Sequence, residues 1–237
     1  MLNLAKQRLL VIAPHPDDEV IGCGGLIKKI KDAGGKVYVL FLTVGDTQDF
    51  TKKGLSTGKQ RLKEIEAVAK FLKYDDWDLA FQGNDYHLRL DTLGQKALMD
   101  VIERDSKVAI EKVKPTIIAF TSPQSYNQDH RIAALAAHAS CRPAPKQAKH
   151  FVETVLFYEE PADGWSPMKS PDPNFFVELS KSNLAAKEHA ISLYKSQARS
   201  APSVRSQETI EALARLRGSQ CGVGLAEGFF AYRLIGK

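Results

Sequence analysis

Four continuous apolar runs, separated by amphipathic segments, constrain this chain more than any other feature. The runs "RLLVIA" (8–13), "KVYVLFLTVG" (36–45), "TIIAFTSP" (116–123) and "ETVLFYEE" (153–160) lack the apolar-polar alternation of a half-exposed strand. A strand that is apolar on both faces must be covered on both faces, the condition of a parallel sheet packed between helices. The intervening segments supply the covers. "VIGCGGLIKKIKDAGG" has apolar residues at 26, 27 and 30 and stops at Gly34 and Gly35, while "KQRLKEIEAVAKFLK" (59–73) sets Leu62, Ile65, Val68, Ala69 and Leu72 at helical spacing. A weaker strand "WDLAFQ", an amphipathic segment over residues 94–113 and a helix "DHRIAALAAHASC" continue the alternation. The pattern predicts an α/β fold with a mostly parallel sheet and helices on both faces.

Past residue 160 the character changes. "PADGWSPMKSPDPN" (161–174) reads as a loop, followed by a strand "FFVELS", a helix capped by Ser182, a second helix "SQETIEALARLRG" ending at Gly218, and a last strand "GFFAYRLI". The expectation is one domain over 1–237: a core to residue 160 and a C-terminal α+β elaboration over 161–237. With 237 residues, 43% of them hydrophobic, the chain can bury a substantial core. The net charge of +5 is scattered without a long basic run and comes with no nucleic-acid-binding signature, so no nucleic-acid partner is expected. Cys23, Cys141 and Cys221 form neither a disulfide framework nor a CxxC pair, which fits a reducing, cytoplasmic setting. No apolar run reaches the length of a membrane span, and no signal peptide is evident.

Polar residues gather just beyond two of the apolar runs, where open α/β sheets bind ligands. "HPDDE" puts His15 and Asp18 close enough for one turn to aim both at a point, and imidazole with carboxylate suits a zinc-type ion. "SPQSYNQDHR" (122–131) offers His130 as a third ligand, with Asp129 beside it and Asn127 nearby. Each acid also has a plainer reading: Asp17 or Asp18 as cap of the helix that follows, and Asp129 as cap of the helix after it. His87, His138, His150 and His189 have no partners at ligand spacing and read as ordinary. "GLSTGKQ" fails as a Walker A loop, and "GCGG" lacks dinucleotide-binding spacing, Gly24 and Gly25 instead allowing close packing of helix and strand.

Together, "APHPDDEVIGCGG" and "NQDHR" resemble the signature of the LmbE-like, or PIG-L, family of zinc-dependent N-deacetylases, with further similarity in "LTVGD", "RLKEIEAVAKFL", "KEHAISLYKSQ" and "GVGLAEGFF". The resemblance implies a Rossmann-like sheet and removal of acetyl from an N-acetylated amino sugar, such as an N-acetylglucosamine conjugate. Transferred by position, it implies that His15, Asp18 and His130 hold zinc, with iron(II) as the alternative metal, and that Asp17 is the general base for attack by metal-bound water. Many members have histidine where this chain has Asn127, which can donate a hydrogen bond but not a proton. Asp129 would orient its neighbours. Asp46 and Arg61 match substrate-facing positions, although Arg61 has Glu64 and Glu66 on its own helix as alternative partners. Such relatives are often oligomeric, so a homo-oligomer is also among the expectations. Two other functions remain open at this level: hydrolysis of a different acylamide, and non-catalytic carbohydrate binding.

Overall fold

The computed structural model describes residues 3–48, 54–145 and 147–236. Strand β1 (Arg8–Ala13) feeds helix α1 (Asp18–Asp32) and β2 (Lys36–Val44); a short antiparallel pair, β3 (Thr47–Gln48) with β4 (Leu55–Ser56), precedes α2 (Gly58–Leu72) and β5 (Asp76–Gln82). The middle of the chain contributes α3 (Gly94–Asp100), α4 (Ile110–Val113), β6 (Ile117–Phe120), α5 (Gln128–Ser140) and β7 (Thr154–Tyr158). β8 (Phe175–Glu178), α6 (Lys181–Leu193), α7 (Gln207–Cys221) and β9 (Ala226–Leu234) complete it.

Seven strands form one sheet in the order β5-β2-β1-β6-β7-β9-β8. Pairing is parallel from β5 to β7 and antiparallel where β9 joins β7 and β8 joins β9. The sheet grows one way from β1 to β2 and β5, and the other way through β6 and β7. The loops leaving β1 and β6 therefore diverge to opposite faces and open a crevice between them.

Alternate side chains of the continuous apolar runs divide between two cores. Leu9, Val11 and Ala13 of β1 join Val37, Val39 and Phe41 of β2 under α1, α2, α6 and α7. Leu10 and Ile12 join Tyr38, Leu40 and Leu42 under α3, α4 and α5.

Three boundaries differ from the sequence expectation. Ser180, not Ser182, caps α6, because its hydroxyl accepts the Asn183 N–H while the Asn183 side chain accepts the Ser180 N–H. Helix α7 runs through Gly218 to Cys221 and stops at Gly222, whose φ of 80° suits glycine. Segment 94–113 is broken by a wide turn over Val101–Asp105: Asp78 accepts from both the Ser106 hydroxyl and the Lys107 N–H, drawing the backbone out of the helix.

Candidate metal and catalytic site

The chain leaves β1 through Pro14, whose carbonyl accepts the Thr43 N–H from β2, and turns over His15–Pro16–Asp17 into α1. His15 N–H donates to Asp18 Oδ2 at 2.8 Å, and Asp18 N–H donates back to the His15 carbonyl, fixing the turn. Across the crevice, His130 projects from the first turn of α5. His15 Nδ1, Asp18 Oδ2 and His130 Nε2 form a triangle with edges of 3.5, 3.3 and 3.3 Å. Ligand atoms at zinc distances of about 2.0–2.1 Å on a tetrahedron lie roughly 3.3 Å apart, so the donor set and its spacing fit a divalent transition metal.

The outward nitrogens are also engaged. His15 Nε2 lies 3.0 Å from Asp129 Oδ2, and His130 Nδ1 lies 3.1 Å from the Thr121 hydroxyl. Asp129 Oδ1 accepts the Leu90 N–H at 3.0 Å, so the carboxylate that orients His15 is itself held. The helix-capping role open to Asp129 belongs to Asn127, whose side-chain oxygen accepts the Asp129 N–H.

Asp17 occupies the cap position of α1 but makes no capping hydrogen bond, and its φ of 109° is a left-handed conformation that costs a non-glycine residue about 1–3 kcal/mol. Among the described residues, neither of its buried carboxylate oxygens has a hydrogen-bond partner, and Arg205 Nε lies 3.3 Å from Oδ2 as a counter-charge. Burial raises the Asp17 pKa, and Arg205 only partly opposes the rise. At Asp18 burial acts the same way but is outweighed by His130 and His15, which hold that carboxyl well below its ordinary range. Burial likewise disfavours charge on His15, yet Asp129 and Asp18 raise its pKa overall. The pKa values of the neighbouring carboxyls are thus driven apart, that of Asp18 downward and that of Asp17 upward.

Arg61 is buried, with neither Glu64 nor Glu66 as an ion-pair partner. Its Nη1 lies 3.0 Å from His87 Nε2 and 3.2 Å from the Thr47 hydroxyl, and its Nη2 reaches the Pro16 carbonyl. His87, which reads as ordinary in the sequence, stands edge-on to His15 with ring centroids 5.3 Å apart. Burial pushes its pKa down to about 3, so it is neutral. Asp46 is exposed; its carboxylate accepts the Gly58 N–H at 2.7 Å and fastens the loop after β2 to the start of α2.

A cavity of about 440 Å³ opens in front of the triangle, with Tyr126, Asn127, His130, Glu160, Arg199 and Arg205 on its walls. Glu160 lies just past β7; its Oε1 is 3.6 Å from His130 Nδ1 and has no hydrogen-bond partner among the described residues. Burial, then the charges of Asp18, Asp163 and Asp17, raise its pKa well above the ordinary carboxylate value. An acid beyond the end of a parallel strand was the available sequence signal for Glu160. The loop that brings Arg199 and Arg205 carries no such signal.

A buried His-Asp-His triangle at the switch point of a mostly parallel sheet, with, beside it, a buried carboxylate that makes no hydrogen bond among the described residues, and a cavity in front, defines a metal-dependent hydrolase. Residues 10–141 match the family model of the GlcNAc-PI de-N-acetylases, PIG-L, and the chain belongs to that family. It is 26% identical over 211 residues to the diacetylchitobiose deacetylase of Thermococcus kodakarensis, covering 81% of this chain and 70% of that protein. The crystal structure of conserved protein TT1542 from Thermus thermophilus superimposes with a TM-score of 0.73 at 28% identity, over 98% of this chain and 97% of that one. The 4-carboxy-2-hydroxymuconate hydratase GalB from Pseudomonas putida shares the fold, with a TM-score of 0.70 at 21% identity over 98% of each chain. Among the described residues, no helix is long and apolar enough to cross a membrane.

Proposed function

We propose that this protein is a zinc-dependent hydrolase that removes the acetyl group from an N-acetylglucosamine-type conjugate. The observation that carries this reading is Asp17, a carboxylate kept buried, strained and without a hydrogen bond beside three metal-ligating atoms. A fold that needed only a helix cap would have no use for that arrangement. His15, Asp18 and His130 would hold the ion, which supplies Lewis-acid polarisation of the amide carbonyl and lowers the pKa of water beside it.

The remaining work falls to the chain. Asp17 takes the proton from the attacking water as the water oxygen bonds to the acyl carbon. It returns that proton to nitrogen as the C–N bond breaks, yielding acetate and the free amine. Its raised pKa suits both transfers. Asn127, whose side-chain oxygen is committed to capping, retains its NH2 group to donate to the developing oxyanion. Asp129 fixes the tautomer of His15. Arg61 braces the Pro16 carbonyl and His87 behind the ligands, and Asp46 shapes the loop on the sugar side.

Zinc-loaded protein incubated with N,N′-diacetylchitobiose and other N-acetylglucosamine conjugates should release acetate. Folded Asp17→Asn and His130→Ala proteins should not. Wild-type acetate release from either variant would refute the assignment.

A further inference from the structure

The wall of the cavity opposite the triangle is built from the segment after α6, and it carries two guanidinium groups. Arg205 Nε faces Asp17, while its Nη1 donates to Gln197 Oε1 at 3.0 Å. Arg199 is different. Its Nη1 donates to two backbone carbonyls, Ser196 and Ala198, each at 2.9 Å, and among the described residues no carboxylate lies within 4.0 Å of it. A half-buried guanidinium, oriented by carbonyls but neutralised by no acid, leaves its Nε and Nη2 donors for a ligand. Ser200 and Ser203 add hydroxyls to the same wall. A neutral sugar would leave that charge unmatched, whereas a planar carboxylate or a phosphate matches its fork of donors.

We propose that Arg199, with Arg205 beside it, is a receptor for an anionic group on the substrate, so that the preferred substrate is an N-acetyl amino sugar conjugate bearing a carboxylate or phosphate. The proposal rests on the deacetylase reading for the reaction but not for the binding. Arg199 fixes the anion, which seats the conjugate in the cavity with its acetamide toward Asp17 and the triangle.

Three compounds test it: methyl N-acetylglucosaminide, N-acetylglucosamine 1-phosphate and carboxymethyl N-acetylglucosaminide. Acetate release gives kcat and KM for each. Calorimetry with glucosamine 1-phosphate and carboxymethyl glucosaminide, which have no acetyl to lose, measures binding alone. At least one anionic conjugate should exceed the neutral one in kcat/KM by at least ~10-fold, chiefly through KM, and the advantage should shrink as salt is raised. In Arg199→Gln the anionic-to-neutral ratio should fall by ~10-fold, and Arg199→Lys should restore part of it. A response to only one anionic compound identifies the group as carboxylate or phosphate. Equal turnover of all three, with a ratio unchanged in Arg199→Gln, overturns the anion receptor and leaves the deacetylase reading standing. Binding of the anionic amines that depends on Arg199, without acetate release from any compound, supports the receptor and overturns the deacetylase reading. Failure of all these compounds to bind or react overturns both.

Discussion

Asp17 concentrates the cost of this site in one residue: a left-handed backbone, a buried carboxylate and no hydrogen bond to compensate. Asparagine tolerates left-handed φ better than most residues, so Asp17→Asn removes the charge while keeping the backbone. Its kcat should fall about 10²- to 10⁴-fold, while its melting temperature falls by no more than about 2 °C or rises, because an unsatisfied buried carboxylate is gone. Asp17→Ala should lose both activity and stability, and parallel kinetics and calorimetry separate the two outcomes. Glu19 provides a pH signature. It accepts hydrogen bonds from the Tyr74 and Tyr194 hydroxyls, yet burial raises its pKa from 4.5 to about 8. A carboxyl raised on folding contributes stability that is complete below pH 4.5 and lost as pH climbs through about 8. In chelator-treated protein, the melting temperature of wild type relative to Glu19→Gln should therefore decline between those values. A constant difference would show that Glu19 stays ionised. The candidate ligands and Asp17 were legible in the sequence because one short loop holds most of them. Glu19 was not, because its tyrosine partners lie on distant segments.

At the scale of elements, α1 shows how composition can serve packing alone. A Cβ on Gly22 would collide with the Tyr158 ring, and one on Gly25 would lie 2.6 Å from Leu179. Gly25 and Leu26 N–H groups also donate to Glu227 of β9, which pairs with Lys187 of α6. Gly22 lets the Tyr158 side chain of β7 press against the backbone of α1, and Gly24 and Gly25, where the sequence suggested close packing, do the same for Lys187 of α6 and for Leu179. Gly22→Ala should cost about 1–3 kcal/mol, lowering the melting temperature by several degrees. Adding Tyr158→Leu should recover part of the loss, because the two positions share one space; strictly additive losses would contradict that origin. Helix identities were readable from periodicity because α1, α2 and α5 each bury a recurrent apolar face. The break after α3 was not, since Asp78 lies on β5, far from Ser106 in sequence.

At the scale of the molecule, apolar runs disclose that strands are buried on both faces but not which strands are neighbours. The order that sets β1 beside β6 is what brings His15 and Asp18 to His130, and the C-terminal segment then closes the cavity with Arg199 and Arg205. Metal binding should consequently stabilise the whole fold, because an unfolded chain cannot bring a triangle from two separate loops together. At a free metal concentration about 1,000 times Kd the gain is roughly 4 kcal/mol, or about 8–16 °C for a chain of this size. Strong chelation should reverse it, and His130→Ala should abolish the zinc-dependent increment. Protons compete for the His15 imidazole. The pKa of His15 is raised because, although burial disfavours its charged form, Asp129 and Asp18 outweigh burial. Acidification through and somewhat above the ordinary histidine range of about 6.5 should therefore diminish the increment before the apo fold itself melts. Calorimetric scans with and without zinc across that pH range test this directly: an increment independent of pH, or retained in His130→Ala, would place the ion elsewhere than between β1 and β6.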